Sequence, residues 1–365
     1  MITIADALAK VPFLREVPRE DLERATRYWS RVPLADGQDL WAEDGLAMEL
    51  GIVLEGELIA LTRGVVLGPM KAGELAGEAS AFLRGESRSA TVRARGASVV
   101  ATLPVKALSA LRREGNRLYD ALLGQALITV VQRIRSTDLR IAQIAKGERE
   151  APTRREASTL VRMWRALRPG RPAGSCPPLE PLLRKLPVLR GAEADALGEI
   201  ARAFQPKMVE EGEIVFLEGE LGSSAYILVD GAIEVLRNVR GDRAELLATL
   251  ESGDIFGANA LIDQAPRTAS CIAARAGWLY QIDAGRFPAA DRPAGRLWRE
   301  TLLAAFANQI RSANSVLTDM SVQSAEPLHR ASAALLGTTL QESHINAIQD
   351  EAPALPRARP SRENQ

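Results

Sequence analysis

Two segments of the chain place a glycine, a run of small and apolar residues and one arginine in the same order. The first begins Gly77-Glu78-Ala79 and delivers Arg88-Ser89; the second begins Phe256-Gly257-Ala258-Asn259 and delivers Arg267-Thr268. A glycine turn opening a short helix leaves the first amides without intrahelical acceptors and points their dipole outward, which favours an anion. An arginine brought to the same place adds a planar fork of donors suited to phosphate oxygens. Glu78 can accept hydrogen bonds from the vicinal hydroxyls of a sugar. A small ligand with one phosphate beside a ribose satisfies all three features. The second segment carries Ala258 where the first has the glutamate, which leaves a ribose hydroxyl unpaired. That loss is worth about 1–3 kcal/mol, or roughly one to two decades in affinity. Asn259, its neighbour, is expected to aim elsewhere.

Other chemistries find little material. The chain holds two histidines, His329 and His344, and two cysteines, Cys176 and Cys271, so neither a metal cluster nor a histidine-based catalytic site is expected. No lysine follows a glycine-rich loop in the manner of a nucleotide triphosphate site, and no nucleophile–base pair suggests itself. An enzyme is not expected. Lys plus Arg and Asp plus Glu both number 46, giving zero formal charge, so the overall field would not hold nucleic acid or an anionic membrane. The amino-terminal stretch lacks the pattern of a signal peptide and no apolar run is long enough to span a bilayer. A cytoplasmic chain with reduced thiols is the expectation.

The elements that must position these segments recur as well. Pro12 and Pro187, Leu22 and Leu197, Gly37 and Gly212, and Gly56 and Gly231 all share one sequence offset. The offset grows by five at Gly73 and Gly253, which predicts a hairpin shorter by that amount in the first copy. A period this long means tandem domains rather than a solenoid. Each copy opens with a short helical pattern, at 21–25 and 194–203. Strand-like runs follow, at 213–217, 225–229, 232–236 and 245–250 in the second copy, punctuated by turn glycines as in an antiparallel roll. Each copy then closes with a long amphipathic helix, predicted over 117–145 and 296–317. In the first of these Leu118, Leu122, Ala126, Val130 and Ile134 form an apolar stripe, which packs on its own domain, on another helix, or across a homodimer. The expected domains are 1–146 and 181–319. They are joined by a linker at 147–180 with a short basic helix at 157–167, and followed by a tail at 320–365 that is partly disordered. Neither linker nor tail offers a helical pair for DNA, so no nucleic-acid partner is expected.

In these residues the chain resembles the cyclic nucleotide-binding domain family. Its phosphate-binding cassette reads F-G-E-x-[AG]-L, a loop, then R-x-A-[ST], and the likeness covers both copies nearly end to end. The resemblance implies a mainly β fold with flanking helices: two tandem jelly-roll-like β-rolls, each closed by a long C-terminal helix that folds over the base of cAMP or cGMP. It implies that Glu78 takes the ribose 2′-hydroxyl and Arg88 the cyclic phosphate, with Gly77, Ala79 and Ser89 around them. Spacing in the first copy is similar to bacterial cAMP receptors. Aligning the closing helices places Thr137 where those receptors touch the adenine amino group. Departures are Ala76 in place of an aromatic and, between 42 and 50, the lack of a clear turn glycine pair. The second copy is similar to kinase regulatory domains, with Gly257, Arg267 and Thr268 in place and Ala258 as its decisive departure, which predicts a degenerate site. The expected function is a non-enzymatic cyclic nucleotide sensor acting on an effector protein that the sequence does not identify, with no metal or cofactor. A ligand-independent scaffold and a regulatory subunit of a separate kinase are the alternatives.

Overall fold

The computed structural model describes residues 3–83, 86–147, 174–239 and 244–335. Residues 157–167 and the chain from 336 onward, which include the expected linker helix, His344 and the end of the expected tail, lie outside them. The chain divides into two units, Met1–Ser321, which contains both rolls, and Val322–Gln365.

In the first half, helices Ile4–Ala9 and Arg19–Ala25 lead into eight strands. These are β1 (Ser30–Leu34), β2 (Asp39–Trp41), β3 (Glu49–Glu55), β4 (Glu57–Thr62), β5 (Val65–Lys71), β6 (Leu75–Ala76), β7 (Thr91–Ala94) and β8 (Ser98–Pro104). They form two antiparallel four-stranded sheets, ordered β1-β8-β3-β6 and β2-β7-β4-β5. The expected jelly-roll-like arrangement is present in both halves.

The second half begins with helices Glu180–Leu183 and Ala194–Ala203 and builds its roll from β9 (Gln205–Val209), β10 (Ile214–Phe216), β11 (Ser224–Arg237), β12 (Glu245–Leu250), β13 (Ile255–Phe256) and β14 (Ser270–Asp283). The two strands expected at 225–229 and 232–236 are one, β11, whose register shifts around Asp230 and Gly231 instead of breaking. In the first half the matching Gly56, at φ 81°, does separate β3 from β4. The β4–β5 turn is Arg63-Gly64, whereas residues 238–244 join β11 to β12. That is two residues against seven, the predicted difference of five.

Closing helices span Arg117–Gly147 and Pro293–Leu335, the second well beyond its expected end. Asn116 starts the first by accepting from the Leu118 amide at 2.9 Å, an N-cap contact. The carboxylate of Asp21, on the second leading helix, accepts from the Arg117 amide at 3.3 Å. The stripe Leu118, Leu122, Ala126, Val130 and Ile134 is fully buried. It lies in one apolar core with Leu302, Phe306 and Ile310 of the second closing helix. The face considered for a homodimer is therefore covered within one chain. Among the described residues no helix is long and apolar enough to cross a membrane.

Candidate functional site

In the first roll Gly77 takes φ 75°, a left-handed conformation that glycine adopts without steric cost, and turns β6 into a one-turn helix, Glu78–Ala81. The Ser80 and Ala81 amides donate to the Gly77 carbonyl, at 3.4 and 3.1 Å. A single turn has a small dipole, so the side chains supply most of the site's field. Arg88 is 3% exposed and lies against Gly77; a Cβ on that glycine would overlap the guanidinium. Its Nη2 donates to the Glu49 carbonyl at 2.6 Å and its Nη1 to the Gly77 carbonyl at 3.3 Å. The buried Nε has no hydrogen-bond partner. Burial pulls the Arg88 pKa down to about 10, against the pull of the Glu49 and Glu78 carboxylates. The arginine thus stays charged at neutral pH in a setting that makes a paired anion more favourable than it would be in water.

Glu78 is 0% exposed. Its Oε1 accepts from Arg133 of the first closing helix at 2.6 Å, while Oε2 is buried without a partner. Arg133 also donates to the Leu75 carbonyl at 3.2 Å. In the sequence Arg133 is only a point of alignment between the closing helices; its place one helical turn before Thr137 is the available signal. The segment without a clear turn glycine pair is held by Asp44, at φ 64°, whose counterpart in the second roll is Gly219, at φ 83°. The Asp44 amide donates to the Arg88 carbonyl at 3.0 Å and the Arg88 amide to the Gly45 carbonyl at 2.7 Å. Ser89 is fixed through its carbonyl, which accepts from the Thr62 hydroxyl at 3.1 Å, and Ala79 is half-buried on the short helix. Glu86, a conceivable partner for Arg88, pairs instead with Arg311 at 2.8 Å.

The second roll repeats the layout with a different outcome. Gly257, at φ 72°, opens the helix Ala258–Asp263, and Arg267 is 6% exposed. Its Nη1 donates to the Gly257 carbonyl at 2.6 Å; its Nη2 reaches the Ser224 carbonyl and hydroxyl at 2.9 and 3.0 Å. Gly222 lies so close that a Cβ there would overlap the guanidinium. Burial lowers the Arg267 pKa as well. Ala258 is buried where Glu78 stands, and Gln309, exposed, takes the helix position of Arg133. Acceptor and arginine have changed together. Asn259 and Thr268 are half-buried on this segment.

The closing helices connect the two sites. Asp120 and Arg296 pair through two bonds of 2.6 and 2.8 Å, and the buried Thr137 hydroxyl donates to Asn314 Oδ1 at 3.5 Å. The helices therefore run side by side in the same direction. Thr137 lies between them, with its hydroxyl engaged by the second half of the chain. Arg135 pairs with Asp263 and donates to the Pro266 carbonyl at 2.6 Å, next to Arg267. Arg311, its counterpart on the second closing helix, makes the Glu86 contact in the first roll. Each closing helix thus holds the loop that carries the other roll's arginine. Among the described residues no group of three or more His, Cys, Asp or Glu could hold a metal ion.

This geometry agrees with the family comparison. The model for the cyclic nucleotide-binding domain matches residues 31–114 and 206–290. A CRP-like cAMP-activated global transcriptional regulator of Mycobacterium tuberculosis is 29% identical over 149 residues, 39% of this chain and 63% of its own length. The cAMP-dependent protein kinase regulatory subunit of Schizosaccharomyces pombe is 35% identical over 91 residues, 25% of this chain and 21% of its own. The chain thus spans only part of the length of these curated relatives. Among solved structures, the regulatory domain of Toxoplasma gondii PKA with cAMP aligns over 89% of this chain and 96% of its own, at 19% identity and a TM-score of 0.29. The chain carries two cyclic nucleotide-binding domains in tandem.

Proposed function

We propose that the protein is a non-enzymatic regulatory sensor whose first domain, residues 1–146, binds cAMP or cGMP. The second domain, 181–319, has kept the fold and lost the ligand. The observation that carries this reading is the contrast between the two sites. Both arginines give their Nη groups to backbone carbonyls, but Glu78 Oε2 and Arg88 Nε are buried without partners in the first roll, whereas the second roll has Ala258 in place of the carboxylate. A ribose hydroxyl and a cyclic phosphate are the groups that suit the unpartnered pair. A ligand hydroxyl on Glu78 Oε2 joins the carboxylate whose Oε1 holds Arg133 of the first closing helix, and Arg135 on the same helix grips the second roll, so binding is felt across the chain. The readout is an effector protein in the cytosol.

Calorimetry with cAMP and cGMP tests the reading. Wild type should bind one nucleotide per chain, and Arg88→Ala should weaken binding by about 10–100-fold, the worth of a charged hydrogen bond. No heat from wild type at millimolar ligand overturns it. A ligand-independent scaffold would then stand, a reading favoured by the two carbonyls that already engage Arg88.

A further inference from the structure

Trp41 and Phe216 are counterparts in the two rolls; they end the short strands β2 and β10, and each strand has an irregular register just before its ring. Both rings lie beneath the arginine of their roll. The Arg88 Cζ is 3.8 Å from the Trp41 ring centroid, and the Arg267 Cζ is 4.1 Å from that of Phe216. Their surroundings differ in a compensating way. In the second roll Phe216 stacks with Tyr226 at a centroid separation of 5.9 Å and lies tilted against Phe256 at 6.1 Å. The equivalents of those rings in the first roll are Gly51 and Ala76. A Cβ on Gly51 would stand 3.0 Å from the Trp41 Cη2, so the indole fills the space that the smaller residues leave. The indole Nε1 also donates to Glu49 Oε2 at 3.4 Å, and Glu49 is the residue whose carbonyl holds Arg88.

An aromatic face attracts a guanidinium without consuming any of its N–H donors. A carboxylate in the same place would pair with those donors and compete with a phosphate. We propose that Trp41 is the positioning residue of the first domain, seating Arg88 in its buried place while leaving Nε–H available to a cyclic phosphate. This rests on the reading of the first domain as the nucleotide site. It also gives Ala76 a purpose, since an aromatic there would collide with the indole's space.

The test measures cAMP and cGMP affinity by calorimetry for Trp41→Phe, Trp41→Met and wild type, with thermal melts alongside. Trp41→Phe should bind within about threefold of wild type, and Trp41→Met should lose about 5–30-fold, the range of a desolvated cation–π contact. Wild-type binding with Trp41→Met within twofold of it would make Trp41 a packing residue and overturn the proposal. If Trp41→Met does not fold, ligand-induced change in tryptophan emission decides. That change should be present in wild type and absent from Trp41→Phe at saturating ligand; its persistence in Trp41→Phe overturns the proposal. No binding by wild type removes the nucleotide reading itself, an outcome distinct from both.

Discussion

Glu78 shows how one carboxylate serves two ends. Oε1 tethers the closing helix through Arg133, and Oε2 is buried without a partner beside an arginine. Leaving a buried acceptor unmade has a cost, so a donor arriving with ligand recovers it. Glu78→Gln keeps the shape and removes the charge. It should weaken cyclic nucleotide binding by about tenfold and lower stability by about 1 kcal/mol, toward the exposed-pair range because Arg133 is partly solvated. Calorimetry and denaturant melts check the two effects separately. Gly77, Glu78 and Arg88 were legible in the sequence because residue type and spacing along one segment define them. Arg133 was legible only as helix, since its role depends on a residue 55 positions away.

At the scale of elements, the rolls show which turns truly need glycine. Asp44 occupies the left-handed position that Gly219 occupies in the second roll, and aspartate is among the few side chains that tolerate it. Asp44→Ala should cost about 1–2 kcal/mol in a denaturant melt, while Asp44→Gly should be near neutral. Because this turn holds the Arg88 backbone, Asp44→Ala should also weaken ligand binding by a few fold in calorimetry. The turns and helices were predicted from local residue patterns, and the difference in hairpin length from the change in repeat offset. The continuity of β11 did not, because pairing along β14 decides whether a glycine ends a strand or merely shifts its register.

At the scale of the molecule, the two halves grip each other symmetrically, Arg135 on the second roll and Arg311 on the first. The coupling this provides is reciprocal: whatever ligand in the first domain does to the second roll's loop, that loop does to ligand affinity. Hydrogen exchange at residues 258–267 should therefore respond to cyclic nucleotide in wild type, and Arg135→Ala should reduce the response. An unchanged response in Arg135→Ala would mean that this contact does not transmit it. The apolar stripe that raised a homodimer in the sequence is buried in the chain's own core, together with Leu302, Phe306 and Ile310 of the second closing helix.

The sequence by itself determined the repeat, the rolls, the closing helices and the pair Glu78 and Arg88, because hydrophobic period, turn chemistry and short-range spacing are properties of the chain alone. Tertiary structure decided which donors and acceptors are already taken. It placed Arg133 on Glu78, Trp41 beneath Arg88 and Ser224 on Arg267, and it gave two similar motifs different sets of partners. The physical reason is that hydrogen-bond satisfaction in a buried space depends on every group that reaches it, and those groups come from far along the chain.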